Sequence, residues 1–442
     1  MSIFKAYDIR GLVPQQLSES EAFKIGQALA DFYRAPLLAV GRDMRVSGPA
    51  LRAALIQGLT ESGVDVLDIG LVDTPRVYFA VGRLRLPGGV MITASHNPGE
   101  YNGFKLCREQ AIPISYDTGI QKIEQLFQSG AQPAQERSGL VVQVDLNQAY
   151  LDYLHAFIGP LRPLKVAIDC GNGMGGSLAR ELFEPLGLQI VPLFFELDGR
   201  FPNHEANPLE AKNMRWLQAA VVGEQCDLGI AFDGDADRVM FVDERGELIP
   251  SDMITLLIAA NVLAGEPGAT ILYDLRSSQV VPEAVRAAGG RPLRCRVGHA
   301  FIKKRMREVG AAFAGELSGH YYFRDNYYAD SGYLAALKVL EIVSQSSQPL
   351  SQGIRPYQRY HASGEINSKV SDPDRVLAEL DARFPGQNED RHLDGLLVEG
   401  EGWWFNVRKS NTEPLVRLNL EARDRELMEK MRDQVLELIR SI

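Results

Sequence analysis

The sequence predicts an α/β protein: three similar α/β domains with mixed sheets, and a smaller α+β C-terminal domain, set around a central cleft. Three observations lead there. A strand–helix–strand pattern is written three times, a polar loop rich in chemistry falls at the same point of each copy, and the pattern changes near His361.

The first strand of each copy is a short apolar run that ends at an aspartate, over residues 37–43, 164–169 and 269–274. A helix follows, with apolar residues three and four apart, over 51–62, 177–186 and 280–288. Gly63, Gly187 and Gly289 close these helices, where a left-handed backbone is cheapest for a residue without a side chain. A second strand comes next, over 64–69, 189–194 and 291–297, and the right-handed crossover makes it parallel to the first. Each copy then has a strand that runs into its loop: 90–93 into ASHNP, 228–232 into DGDADR, and 311–314 into GELSGH. Ligands bind at strand ends in α/β sheets, so the three loops are expected to share one cleft.

From about His361 the segments are strand-like and polar, over 363–370, 403–408 and 415–421, with turns at 371–373 and 384–386. Leu427, Met431, Val435 and Leu438 then mark a closing amphipathic helix. The expected domain limits are 1–147, 148–248, 249–360 and 361–442. A chain of 442 residues is long enough for several cores of roughly 100–150 residues each.

Composition narrows the function. A net charge of −10 argues against a nucleic-acid partner, which needs a basic face. Four widely spaced cysteines without a CxxC pair point to reduced thiols rather than a disulfide frame or zinc site. The opening MSIFKAYDIRG carries no apolar segment, and the best apolar run, 254–264, is too short for a bilayer and contains Asn261. A cytoplasmic chain with no membrane partner is expected.

Asp233, Asp235 and Asp237 alternate so that their carboxylates can converge on one hard cation such as magnesium or calcium. An EF-hand calcium loop fits poorly: Arg238 stands where that loop needs glycine, and the flanks are strand-like. Solvated turn aspartates are disfavoured by the apolar strand beside them. Ser95, in TASHNP, would alone be read as a turn former. Beside three aspartates it becomes a candidate phosphoryl acceptor, because its phosphate could complete the metal's ligands. His96 either donates to that phosphate or holds the loop. Arg408, Lys409, Ser410, Asn411 and Thr412 suit a phosphate dianion, against the alternative of a polar hairpin. Glu316 and Ser318 are fit to bond adjacent sugar hydroxyls. Tyr7 and Arg10 precede a glycine turn, and Lys105 and His299 are candidate proton handlers.

Taken in order, TASHNP at 93–98, DGDADR at 233–238, GELSGH at 315–320 and RKSNTEP at 408–414 resemble the α-D-phosphohexomutase family, in its bacterial phosphomannomutase/phosphoglucomutase branch. The resemblance covers essentially the whole chain. It implies transfer of a phosphoryl group between positions 1 and 6 of mannose or glucose phosphate, through phospho-Ser95 and a hexose 1,6-bisphosphate. It implies one Mg²⁺ on Ser95, Asp233, Asp235 and Asp237. Arg10, His96, Lys105 and His299 are implied near the chemistry. Tyr7, Arg238, Glu316, Ser318, His320, Arg408, Ser410, Asn411 and Thr412 are implied in substrate binding, as is Arg276, which stands where a lysine is expected in the nearest relatives. A hexose phosphate partner and a monomer are expected. A phosphoglucosamine mutase shares the chemistry, but AYDIRG at the start and Leu317 in the sugar loop differ from its style. A calcium-stabilised sugar-binding protein and a phosphate-releasing hydrolase are the other readings.

Overall fold

The computed structural model describes residues 2–130, 138–386, 388–410 and 415–441. Three of its sheets are built on one nucleus. The first strands are Leu37–Arg42, Lys165–Asp169 and Thr270–Asp274; the second are Asp65–Leu71, Gln189–Leu193 and Arg291–Cys295. The third are Gly88–Ile92, Leu228–Phe232 and Phe313–Gly315; the fourth are Tyr101–Arg108, Val239–Asp243 and Tyr321–Phe323. In every copy the spatial order is fourth, third, first, second. The first strand pairs in parallel with the second and the third, while the fourth returns antiparallel. The third strand is paired on both edges and its residues are buried on both faces, so the chain can leave the sheet only at its end. That end is where each chemical loop sits.

Ile9–Leu12 and Val141–Gln143 extend the first sheet, Leu248–Ile249 the second and Ala329–Asp330 the third. The fourth sheet is antiparallel, in the order His361–Lys369, Leu415–Ala422, Trp403–Lys409, Leu396–Gly400. Helices Pro373–Arg383 and Arg425–Ser441 cover it, with Val376, Leu380, Met431 and Val435 in its core.

The glycines expected to close the three helices do have left-handed φ, +82° at Gly63 and +78° at Gly187 and Gly289. One expected element differs. The continuous helix over 177–186 is instead a 3₁₀ turn at Met174–Ser177, a short helix Ala179–Phe183 and a second 3₁₀ turn at Glu184–Leu186. Pro185 has no N–H to continue the α-helical bonding, so the segment breaks there. Of the antiparallel fourth strands, Val239–Asp243 is the strand-like flank of the aspartate loop; Tyr101–Arg108, Tyr321–Phe323 and Leu396–Gly400 were not expected.

The first sheet has its own core, around Leu38, Val66, Val90 and Phe104. The second and third sheets share one: Phe232, Phe241, Ile271, Phe313 and Tyr333 lie in a single cluster. Helix Ser251–Gly265 is apolar nearly all round, and it is buried in that cluster beside helix Gly332–Gln345. The apolar run at 254–264 is thus core. No helix among the described residues is long and apolar enough to cross a membrane.

Candidate active site

Gly88–Ile92 delivers Thr93 and Ser95 to the loop at its end, in the interior of the first sheet's strand order. The Thr93 hydroxyl donates to Asp43 Oδ2 at 2.6 Å and accepts from the Ser95 N–H at 2.9 Å. Ser95 is buried and has a left-handed φ of +51°, a conformation a serine holds only when its surroundings impose it. Its hydroxyl donates to Asp233 Oδ2 at 2.8 Å and lies 3.2 Å from His96 Nδ1.

Asp233, Asp235 and Asp237 are all buried, and one carboxylate oxygen from each lies within 4.8 Å of the other two. Gly234 explains how the two loops come so close: a Cβ there would sit 2.3 Å from the Ser95 carbonyl oxygen. Thr74, at the start of helix Thr74–Arg83, donates its hydroxyl to Asp235 Oδ2 at 2.5 Å and its N–H to the Asp235 carbonyl. Lys105 Nζ bridges Asp235 Oδ2 at 2.7 Å and Asp237 Oδ2 at 2.5 Å. The other oxygen of Asp235, Oδ1, is buried without a hydrogen-bond partner among the described residues, while that of Asp237 faces His320. Burial and the adjacent Asp235 and Asp237 push the Asp233 carboxyl up to about 8. Burial raises the Asp237 carboxyl, but Lys105, His320 and Arg238 overcome it and hold the group well below its usual range, so the trio offers ionised oxygens that converge closely enough to take a cation.

The third loop faces this group. Arg238 Nε lies 3.2 Å from His320 Nε2, and Asp237 Oδ1 is 3.4 Å from the same nitrogen. Burial and Arg238 push the His320 pKa down, but Asp237 and Glu316 overcome them and lift it to about 9. Ser318 Oγ is 2.8 Å from His320 Nδ1, and the Tyr322 hydroxyl donates to Glu316 Oε2 at 2.8 Å. Burial holds His299 well below the usual imidazole range, with Lys303 adding to it. Its ring packs 5.2 Å from that of Tyr7. Repulsion by Arg238, then burial, does the same to His96. Arg10 reaches the serine loop, donating to Asn97 Oδ1 at 2.5 Å.

Most of the expected residues line one of two cavities; Asp233, Asp235 and Glu316 are buried and line neither. One, about 450 Å³, is lined by Tyr7, Arg10, Ser95, His96, Lys105, Asp237, Arg238, His299, His320, Arg408 and Ser410. The other, about 550 Å³, has Arg276 and Ser318 in its wall, and Arg417 lines both. Asn411 and Thr412 lie outside the described residues. Arg276 is already engaged, ion-paired to Asp274 and 3.6 Å from Glu365. Glu365 also takes Arg408 at 3.0 Å and Arg417 at 2.9 Å, gathering three arginines at the join of the third and fourth sheets.

Sequence reasoning missed Glu365, Arg417, Thr74, Asp43 and Arg45. The first two meet across neighbouring antiparallel strands, so only the strand register brings them together. Asp43 and Arg45 did carry a signal: Asp274 and Arg276 repeat the same Asp-x-Arg spacing after the same strand.

Profiles for the phosphoglucomutase/phosphomannomutase family match the chain in order: alpha/beta/alpha domain I at residues 1–134, domain II at 148–246, domain III at 250–360 and the C-terminal domain at 365–438. The chain is 41% identical to a phosphomannomutase of Salmonella montevideo, covering 100% of this chain and 99% of the relative. It is 38% identical to a phosphomannomutase/phosphoglucomutase of Pseudomonas aeruginosa, over 98% of this chain and 94% of the relative. A crystal structure of a phosphoglucomutase/phosphomannomutase family protein from Burkholderia thailandensis superposes with a TM-score of 0.92 at 35% identity, covering 99% of this chain and 97% of that one. Three loops meeting at one acidic centre, four domain matches in sequence order and relatives aligned over nearly their whole length lead to one statement: the chain belongs to the phosphoglucomutase/phosphomannomutase family.

Proposed function

We propose that this enzyme moves a phosphoryl group between O1 and O6 of mannose or glucose phosphates, with Ser95 as the covalent carrier. The observation that carries the reading is the Ser95 hydroxyl, 2.8 Å from Asp233 and beside two further buried carboxylates. Ser95, Asp233, Asp235 and Asp237 would hold one Mg²⁺; the Asp235 Oδ1, without a hydrogen-bond partner among the described residues, and the convergence of the three carboxylates fit a hard cation. When bound, the ion neutralises charge on the transferring group.

In the first half-reaction the free 6-hydroxyl of a hexose 1-phosphate attacks the phosphorus on Ser95. An O6–P bond forms, the Ser95 Oγ–P bond breaks, and the product is a hexose 1,6-bisphosphate, which serves as intermediate and activator. After the sugar turns over, Ser95 Oγ takes the 1-phosphoryl group and the 6-phosphate leaves. Lys105, paired with Asp235 and Asp237, is held as a donor. His299, kept neutral by burial and lining the same cavity, is suited to accept the hydroxyl proton. His96, Arg10 and Arg238 would steady the reacting phosphate, and His320 would orient Ser318 and Arg238. Glu316 and Ser318 would bond sugar hydroxyls, with Tyr7 beside them. Arg408, Ser410, Asn411 and Thr412, with Arg276, would grip the phosphate that does not react.

One copy carries every group named, so the working unit is read as a monomer, divided at 147, 248 and 360. Four buried, free cysteines support a reducing, cytoplasmic setting.

The test pairs intact mass with a coupled assay. Incubation with glucose 1,6-bisphosphate should add one phosphate to the protein, and Ser95→Ala should take none and lose turnover of mannose and glucose 1-phosphates. Full activity in Ser95→Ala would falsify the assignment. Turnover confined to glucosamine or N-acetylglucosamine 1-phosphate would redirect the sugar, and steady release of inorganic phosphate would make the enzyme a hydrolase.

A further inference from the structure

Beneath the Ser95 loop lies an arginine that lines neither cavity. Arg45 is 0% exposed, and its guanidinium meets four backbone carbonyls of the loop. Nη2 donates to the Ser95 carbonyl at 2.8 Å and the Asn97 carbonyl at 2.5 Å; Nη1 donates to those of Pro98 at 2.7 Å and Tyr101 at 2.8 Å. Its Nε lies 3.2 Å from Asp43 Oδ2, the carboxylate that also receives the Thr93 hydroxyl. On the other side, the Phe201 ring of the second unit sits 5.2 Å from the guanidinium carbon. Gly199 lets that unit approach, since a Cβ there would be 2.5 Å from the Arg45 Cα.

Four carbonyl dipoles turned toward one point repel each other, and a loop cannot hold them so by itself. A flat cation with several donors removes that repulsion and fixes the carbonyl directions. The Ser95 carbonyl is one of the four, and its orientation belongs to the same left-handed backbone that turns the hydroxyl toward Asp233. We infer that Arg45 is a positioning residue for phosphoryl transfer: it holds Ser95 in the conformation that presents Oγ to the acidic centre, and touches no substrate. The same Asp-x-Arg turn in the third unit puts Arg276 in a cavity wall, and in the second unit Gly171 takes the arginine's place. Only the copy beneath the serine loop turns its arginine inward.

This inference rests on Ser95 as the carrier, so Ser95→Ala is run alongside. Arg45→Lys keeps the charge but cannot span two pairs of carbonyls. Three readouts are compared with the unaltered enzyme: single-turnover phosphorylation of Ser95 from glucose 1,6-bisphosphate by intact mass, steady-state kcat and KM, and the melting temperature. In folded Arg45→Lys the phosphorylation rate and kcat should fall together by about tenfold to a hundredfold, the effect of misplacing a reacting group by up to an ångström, with KM unchanged. Added guanidinium should restore part of kcat to Arg45→Ala. Phe201→Leu, which removes only the ring beneath the cation, should lower kcat by about threefold. Unaltered rate constants in Arg45→Lys overturn the inference, as does a loss that merely follows the unfolded fraction. Should Arg45→Lys fail to fold, Phe201→Leu decides, and an unchanged kcat there overturns it. Activity in Ser95→Ala instead refutes the carrier assignment.

Discussion

Replacing Gly234 by alanine places a methyl carbon 2.3 Å from the Ser95 carbonyl oxygen, where contacts under 3.0 Å are essentially never found. Neither partner can yield cheaply. The carbonyl is backbone and bonded to the buried Arg45, while Gly234 is held between Asp233 and Asp235. The loops must therefore part by about 1 Å to reach ordinary carbon–oxygen separation. The hydrogen bond from Ser95 Oγ to Asp233, 2.8 Å long, then passes beyond useful range. A displacement of this size between reacting groups lowers kcat/KM by about a hundredfold, or roughly 2.7 kcal/mol of transition-state stabilisation. The strain is confined to two loop ends, so the melting temperature should drop by only a few degrees. The assay is mannose 1-phosphate turnover coupled to detection of the 6-phosphate, with a thermal melt of the same sample. An alanine variant within threefold of the unaltered enzyme would refute the claim that loop separation governs the rate.

Chelation should abolish turnover and added Mg²⁺ should restore it; independently of activity, Mg²⁺ at a hundredfold excess over Kd should raise the unfolding free energy by about 2.7 kcal/mol, and Asp235→Asn should weaken that shift. His204 is a structural case: burial depresses its pKa, but the Asp169 carboxylate at 3.0 Å more than offsets this and the value is raised above 6.5. The pair therefore stabilises fully below pH 6.5 and loses its contribution as pH rises through the raised value. The melting temperature lost in His204→Gln should thus be larger at pH 5.5 than at pH 8.5, and an equal or reversed difference would count against the pairing.

The repeat of strand, helix and glycine was legible because each part has a local cause: period, C-terminal glycine and an aspartate at the strand end. The chemical loops were legible because Ser95, the aspartates at 233, 235 and 237, and Glu316 with Ser318 are unusual residue types directly after apolar strands. Helix 177–186 was misread because Pro185 interrupts a pattern whose apolar spacing otherwise holds. Arg45 was passed over because nothing local tells an inward arginine from a solvated one. Arg42, three residues earlier at the end of strand Leu37–Arg42, opens onto a surface pocket instead.

By itself the sequence determined the class of each unit and which residues are chemically able to act, since propensity, periodicity and donor type are properties of short segments. The meeting of Ser95 with Asp233 was expected from the sequence and the tertiary structure supplies its geometry; the structure alone decided that Arg45 lies under the loop and that Glu365 gathers arginines from two units. These partners stand 138, 50 and up to 89 residues apart along the chain. Contacts at such separations follow from strand register and domain packing, which no short stretch of residues encodes; Gly234 is written in the sequence, but only the packed structure shows that its missing side chain admits the Ser95 loop.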